Sequence, residues 1–490
     1  MSFTRGTSRY QIQMFTSLDE MILKNNAVRL IDEFVNGLNL LKLGVASAKP
    51  NKTGRPPYTL DEMLKIWIYG YCNSIRSSRK LEKECFRNIE MMWLVNNIRP
   101  DHSSIASFRK TNSKLLKTVF REFTLLCVKW DLICCELLVV DGTKIKANNS
   151  KKNNYSETKL SKRIKEIDKK IENYLSQTNT SDDNEVLKTE QKIQALTERK
   201  TLYNGYLDKL KASGESQLST TDKDSRLMDN KQGSVSMGYN IQATVDAKND
   251  FVVDVKVTNH PTDQGELSKM CRRSKIILKL KKITTTMADK GYYNGKDLTK
   301  CKLHNITAIV PRQDPPKCNG EDGYTIKDFT YNEKNNSYTC PTGNILLCRS
   351  SEETKCPVYE NRKACKNCKN IDKCTKNKNG YRKIVHSEYF AVQREADKLF
   401  EENKKQFKKR QEVVEHPFGT VKYYLGVPQL LLRTKKKVTS EISLLFFSYN
   451  FKRAMNILGF DGMMARLKEV SCIFFKIFIL ETSNFCNLGF

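Results

Sequence analysis

Leu137–Asn148, LLVVDGTKIKAN, is the stretch from which the rest of the chain can be read. Four β-prone apolar residues, Leu137–Val140, run directly into Asp141 and then Gly142, the pattern of a core strand that delivers a carboxylate at its C-terminal end. The arrangement returns in ITTTMADKGYYNG, where Ile283–Ala288 precedes Asp289. A third carboxylate, Glu415, lies in KKRQEVVEHPFGTVK, Lys408–Lys422, where a basic helical run enters a Pro-Phe-Gly turn followed by Lys422. By itself this last stretch reads equally well as a solvated helix end. Carboxylates gathered in space hold divalent metal, and the reading predicts that these three meet.

At 490 residues the chain is long enough for several domains. Its 85 Lys and Arg against 55 Asp and Glu leave a net charge of +30 and a pI near 9.4, which suits a phosphate-rich partner and opposes an acidic one. Codon bias accounts for part of this in runs such as KNKNG and SKKNNYS, though not for the excess over acids. The stretch MSFTRGTSRYQIQ has no secretory pattern, and the apolar run Ile473–Leu480 is broken by Lys476 and too short to span a bilayer. A cytoplasmic protein with no membrane partner is expected. Its 16 cysteines then serve as thiols or metal ligands rather than disulfides.

The order of patterns predicts an α+β multidomain chain. Residues 1–130 read as a helical, helix-turn-helix-like DNA-binding domain. Ile31, Phe34, Val35, Leu38 and Leu41 recur at helical spacing up to a break at Gly44–Pro50, and LDEMLKIWIYGYCNSIRSSRKLEKECFRNIEMMWLV gives two further helices around a Ser-rich break. Any small helical bundle has the same pattern. Arg76, Arg79, Lys80, Arg87 and Arg109 are its candidate DNA contacts. A mixed α/β core begins in 131–310, interrupted at 155–215 by a charged helical hairpin suited to a spacer or dimer contact. Tyr239–Asp246 and Phe251–Thr258 read as a β-hairpin, Gln264–Leu280 as a helix, and Thr307–Val310 as another strand.

Residues 311–385 are Cys-rich with weak periodicity, and carry Cys318, Cys340, Cys348, Cys356, Cys365, Cys368 and Cys374. The spacing Cys365-x2-Cys368-x5-Cys374 points to zinc, with Cys340 or Cys356 as fourth ligand; free thiols are the other reading. Residues 386–460 read as the second part of the core, with helices His386–Gln411 and Val438–Ile457 on either side of the last acid. Residues 461–490 read as a C-terminal tail.

Taken together, GRPPY, IASFRK, DGTKIKAN, GYNIQATVD, ADKGYYN and EHPFGTVK resemble, in order, the DDE transposases of bacterial insertion sequences, whose core is RNase H-like. The strand, hairpin, helix, strand, helix, strand order is one that such a core satisfies. The resemblance implies that Asp141, Asp289 and Glu415 are catalytic acids binding Mg2+ or Mn2+, and that the helical N-terminal region recognises terminal inverted repeats. Double-stranded DNA, as element ends and target, becomes the implied partner. A homodimer in the synaptic complex and a nucleoid-associated location follow in the same way. Lys422 is placed to contact phosphate, Lys144 and Arg410 are further DNA contacts, and His416 beside Pro417 reads as structural. Relatives carry Tyr-x2-Arg-x3-Glu-x6-Lys around the last acid. Here Glu415 and Lys422 keep the spacing, but Lys408 and Gln411 stand at the Tyr and Arg positions, and Arg410 lies one residue early.

Carboxylates suit this chemistry. Cutting DNA without a covalent intermediate activates a water or a 3′-hydroxyl and stabilises the leaving oxygen, which two Mg2+ ions about 4 Å apart accomplish. Two other functions share the pattern: a catalytically inactive, transposase-derived DNA-binding protein, and another RNase H-like nuclease.

Overall fold

The computed structural model describes residues 17–39, 56–178, 183–229, 235–279, 283–315, 322–350 and 354–486. Leu41, the break at Gly44–Pro50 and Cys318 lie outside these. The described chain opens with α1 (Ala27–Asn36), α2 (Leu60–Cys72), α3 (Ser78–Arg87), α4 (Ile89–Leu94), α5 (His102–Thr111) and α6 (Ser113–Lys129). Capping residues set their starts: Asn26, Thr59 and Asp101 turn side-chain oxygens onto the free N–H groups of α1, α2 and α5.

β1 (Leu137–Lys146) then leads into a two-residue pair, β2 (Asn154–Tyr155) with β3 (Leu218–Ser219). From this base project α7 (Glu157–Thr178) and α8 (Asp183–Ser213), tied side by side by Lys200–Asp168 at 2.6 Å and by Arg163 donating to the Tyr203 hydroxyl at 3.2 Å. Leu160 and Leu210 are buried at the foot of this arm, whereas Leu175, Leu187 and Leu202 are exposed along it.

The main sheet is completed by β4 (Arg226–Asp229), β5 (Val235–Asp246), β6 (Phe251–Thr258), β7 (Ile283–Ala288) and β8 (Ile306–Ile309). β5 pairs antiparallel with β1 on one edge and with β4 and β6 on the other, while β1, β7 and β8 run parallel. α9 (Leu267–Ile277) and α10 (Gly295–Leu303) make the crossovers. From Met237 to Asp246 every residue of β5 is buried, so its outward positions alternate between two covered faces rather than between core and water.

The described residues of 322–350 and 354–385 form a second, five-stranded antiparallel sheet in the order β13-β12-β11-β10-β9, from β9 (Thr330–Asn332), β10 (Ser337–Thr339), β11 (Ile345–Cys348), β12 (Val358–Glu360) and β13 (Lys383–Val385). Short helices α11 (Arg362–Lys366) and α12 (Ile371–Cys374) lie between β12 and β13. Strands of three or four residues give too little alternation to read, which is why this region has weak periodicity in the sequence.

The remainder is helical. The run expected as one helix over 386–411 is divided into α13 (Phe390–Glu402), α14 (Lys404–Phe407) and the start of α15 (Lys409–Gly419). The predicted Pro-Phe-Gly turn is instead helical: α15 continues through Pro417 and passes into a π-helical segment, Thr420–Tyr424. A proline removes one intrahelical hydrogen bond, and a π-turn is a common way to absorb such an irregularity. α16 (Lys435–Cys486) is kinked at Gly459, whose φ of 69° breaks the helical path. Residues 461–486, expected as a tail, continue this element.

The boundary expected at residue 130 is crossed by packing. Phe34 of α1 and Phe123 of α6 meet Phe447 of α16 with ring centroids 5.3 Å and 5.2 Å apart. Glu441 of α16, fully buried, accepts from the Leu431 and Leu432 N–H groups and pairs with Arg76 at 3.2 Å. Asn450 uses both ends of its amide on the backbone of Val252 in β6. One continuous core therefore includes the early helices, the main sheet and α16.

Candidate active site

Two of the three acids are brought together by strand register. β1 pairs with β7 in parallel as far as Val140 opposite Ala288, so Asp141 and Asp289 are the next residues on adjacent strands, which run about 4.8 Å apart. Only β7 ends there as expected. β1 runs on beside β5 to Lys146, and Asp141 sits in mid-strand opposite Ala243. Asp289 caps the short turn Lys290–Tyr292, its carboxylate accepting from the Lys290 N–H at 2.7 Å.

Between the two carboxylates lies the guanidinium of Arg410, which enters from the second residue of α15. Its Nη1 is 3.6 Å from Asp141 and its Nη2 3.8 Å from Asp289, attraction at a distance too long for good hydrogen bonds. Nε and Nη1 are buried and find no hydrogen-bond partner among the described residues. The cation thus neutralises the pair electrostatically without satisfying its own donors. Burial pushes the Asp141 carboxyl up to about 6; Arg410 and the Gly142 N–H oppose this, while Asp289 and Asp263 add to it.

Glu415 is on the same helix, but its contact is with Gln411, whose Nε2 donates to it at 2.6 Å. It is exposed and meets neither aspartate directly. Lys422 falls in the π-helical segment that follows. His416 bonds the Tyr449 hydroxyl at 2.7 Å, and Tyr449 and Arg453 in turn hold the β5–β6 turn at Asp250, a structural arrangement.

Several expected DNA contacts are placed elsewhere by the fold. Arg76 is spent on Glu441 and on the carbonyls of Gly426 and Gln429. Arg109 is buried, with its guanidinium 4.1 Å over Trp67 and a 2.8 Å bond to the Tyr71 hydroxyl. The pattern carried a signal for Arg109, which lies one helical turn after the buried Ile105; nothing local marks Arg76. Arg79, Lys80 and Arg87 are exposed on α3, with Arg87 pairing to Glu84. Lys144 is three residues beyond Asp141 on one strand, and so projects to the opposite face of the sheet.

The sequence reading missed Asp263. Its Oδ1 accepts from the side-chain amides of Asn240 at 2.8 Å and Gln242 at 2.7 Å, and Gln242 also accepts from Tyr292. A Cβ on Gly142 would stand 2.5 Å from both Asp263 Oδ1 and Gln242 Nε2, so this network closes over the glycine next to Asp141. In sequence, Asp263 falls in the short connection between the strand read at Phe251–Thr258 and the helix read at Gln264–Leu280, and does not directly follow a β-prone run.

Among the described residues no three His, Cys, Asp or Glu side chains stand close enough to share a metal ion as they are. The oxygen-only donors at Asp141 and Asp289, already flanking a cation with unmade hydrogen bonds, nevertheless fit a hard divalent ion.

Two family models match the chain. Residues 16–111 match a transposase domain (DUF772), and residues 339–455 match a transposase DDE domain. The chain belongs with the DDE-type transposases. The second match contains Glu415, Lys422 and the cysteines from Cys340 to Cys374, whereas Asp141 and Asp289 of this transposase lie outside both. No curated protein matches the transposase. Among solved structures it is similar to "Cryo-EM structure of piggyBac transposase synaptic complex with hairpin DNA (SNHP)", at 7% identity over 91% of this chain and 76% of that one, with a TM-score of 0.28. No helix among the described residues is long and apolar enough to cross a membrane.

Proposed function

We propose that this transposase, of a bacterial insertion sequence, binds the terminal inverted repeats of its element and carries out metal-dependent cleavage and strand transfer of double-stranded DNA. The observation that carries the reading is the adjacency of Asp141 and Asp289 at the last parallel pair of β1 and β7, with the cation of Arg410 between them. The strand order β6-β5-β1-β7-β8, antiparallel then parallel, is what an RNase H-like core requires.

Asp141, Asp289 and Glu415 would hold Mg2+ or Mn2+, Glu415 after leaving Gln411. Bound there, the ions supply a nucleophilic water or 3′-hydroxyl and stabilise the leaving oxygen. Arg410 keeps the two aspartates charged and close, Lys422 is one and a half to two turns past Glu415 along the same helical path toward phosphate, and the exposed Arg79, Lys80 and Arg87 offer a basic face on α3. The early helices work as part of the whole chain, since their core is shared with α16.

Cleavage and strand-transfer assays on element-end DNA with Mg2+ test the reading. Asp141→Ala, Asp289→Ala and Glu415→Ala should each abolish cutting while end binding persists, because metal positioning serves the transition state more than DNA affinity. Wild-type protein that binds ends without cutting would favour an inactive binder. An Asp289→Ala protein that cuts normally would refute the site.

A further inference from the structure

Outside the acidic site, the five-stranded sheet gathers four thiols around one cavity. Cys340 follows β10, Cys365 is in the last turn of α11 with Cys368 shortly after the helix, and Cys374 ends α12; all four line the same small space with Phe329, Leu346 and Ile371. Cys356, the other sequence candidate for a fourth ligand, is exposed and does not line it. Cys365, Cys368 and Cys374 are neighbours in sequence, whereas Cys340 lies before β11 and β12 and is brought to them by the fold of the sheet.

Around Cys340 the backbone makes a tight knuckle. In Cys340-Pro341-Thr342-Gly343-Asn344 the Gly343 N–H donates to the Cys340 carbonyl at 2.9 Å, and Gly343 has φ 83°, a conformation open to glycine. The Cys340 N–H donates to the Asn344 carbonyl at 2.9 Å, and the Asn344 N–H points back at Cys340 Sγ at 3.2 Å. An amide aimed at sulfur is the kind of outer contact that orients a metal-bound thiolate. On the opposite wall the Cys368 N–H donates to the Cys365 carbonyl at 3.2 Å, turning the pair Cys365-x2-Cys368 back on itself, and Arg382 fixes the Cys374 carbonyl at 2.8 Å.

The module also has reason to need a cross-link. Its separate core consists of Phe329, Tyr338, Leu346, Tyr359, Cys374 and Ile384, small for a sheet of this many strands, and units with so little apolar interior are commonly held by disulfides or metal. We propose that Cys340, Cys365, Cys368 and Cys374 bind one Zn2+ as a structural site. Four soft thiolates in a closed set select zinc in tetrahedral geometry, with Zn–S bonds of about 2.3 Å. Since no three ligands stand at that separation as they are, binding draws the walls of the cavity inward onto the ion. Each thiol gives up its proton to solvent as the metal binds.

The proposal does not rest on the reading of the acidic site, and its test does not use DNA. The full chain, purified without chelator, should carry stoichiometric zinc by elemental analysis. Replacing the metal with Co2+ should give the thiolate charge-transfer and intense visible bands of a tetrahedral tetrathiolate site. A Cys365→Ser/Cys368→Ser protein should lose the metal, and Cys356→Ser should keep it. Wild-type protein free of zinc, iron in its place, or cobalt spectra without thiolate bands would overturn the site; because these are wild-type measurements, a misfolded variant does not obscure them.

Discussion

In the main sheet, β5 is covered along both faces and its core runs on into the early helices and α16, whereas the five-stranded sheet is built from strands of three or four residues around six buried side chains. The difference shows in what each tolerates. The first holds an aspartate pushed up to about 6 and a guanidinium with unmade hydrogen bonds, because apolar burial elsewhere offsets their desolvation. The second has little such reserve. Its polar side chains are arranged as supports instead: His386 stacks on Phe390 at 3.4 Å, Tyr338 bonds the imidazole, and four thiols face one cavity.

The strongest way to break this comparison is to remove an aromatic residue that joins the early helices to α16. Phe123 is fully buried and touches Phe34, Trp130, Phe447 and Phe451. Phe123→Ala should destabilise the main body by about 3–5 kcal/mol, the usual cost of such a cavity. Chemical denaturation followed by the tryptophans, which belong to the main body, reads that loss. The His386 resonance, in the small sheet, should keep its native shift below the main transition. If the two signals are lost together in both proteins, the sheets form one cooperative unit and the contrast fails.

A smaller effect is expected at Arg410. Above pH about 6 Asp141 is ionised, so Arg410→Gln leaves two neighbouring carboxylates without their cation. At pH 8 without divalent metal the variant should lose on the order of 1 kcal/mol, given contacts longer than a hydrogen bond. Millimolar Mg2+ should restore it, stabilising the variant more than the wild type because the ion no longer competes with a resident guanidinium. Equal Mg2+ responses in the two proteins would show that Arg410 does not occupy the ion's place.

How much of this was legible varies with the length of the pattern. β7 was readable to the residue, and the β5–β6 hairpin nearly so, because continuous β-prone runs ended at clear breaks. The adjacency of Asp141 and Asp289 was not derivable from either run: it depends on a parallel register between segments separated by the whole arm and hairpin. The Glu415 segment misled because Pro and Gly signal a turn, whereas here the helix runs through Pro417 and Gly419 into the π-helical segment, packed near β1 and α16. Arg76 shows the limit of reading charge as surface. Its partner Glu441 is hundreds of residues away, and only the fold reveals that the pair is internal.

The smallest predicted effect sharpens the contrast from the side of the small sheet. His386 is buried beneath Tyr331, Tyr359 and Phe390, its Nε2 2.8 Å from the Tyr338 hydroxyl, and burial, aided by the Arg394 cation, lowers its pKa from 6.5 to about 4. As pH falls below 6.5 the unfolded chain takes up a proton that the folded chain refuses until about 4, so stability present at neutral pH is lost across that window. The loss should appear as a lower melting point of the small sheet at pH 5 than at pH 7, followed by tyrosine signals. His386→Gln, which keeps a partner for Tyr338 and cannot titrate, should flatten the difference. Protonation of zinc-bound thiolates would produce acid sensitivity of the same sign, so the comparison is made on metal-stripped protein. If metal-stripped wild type and His386→Gln then lose the same stability between pH 7 and pH 5, the imidazole is not what makes this sheet acid-sensitive, and its support lies in the aromatic stack alone.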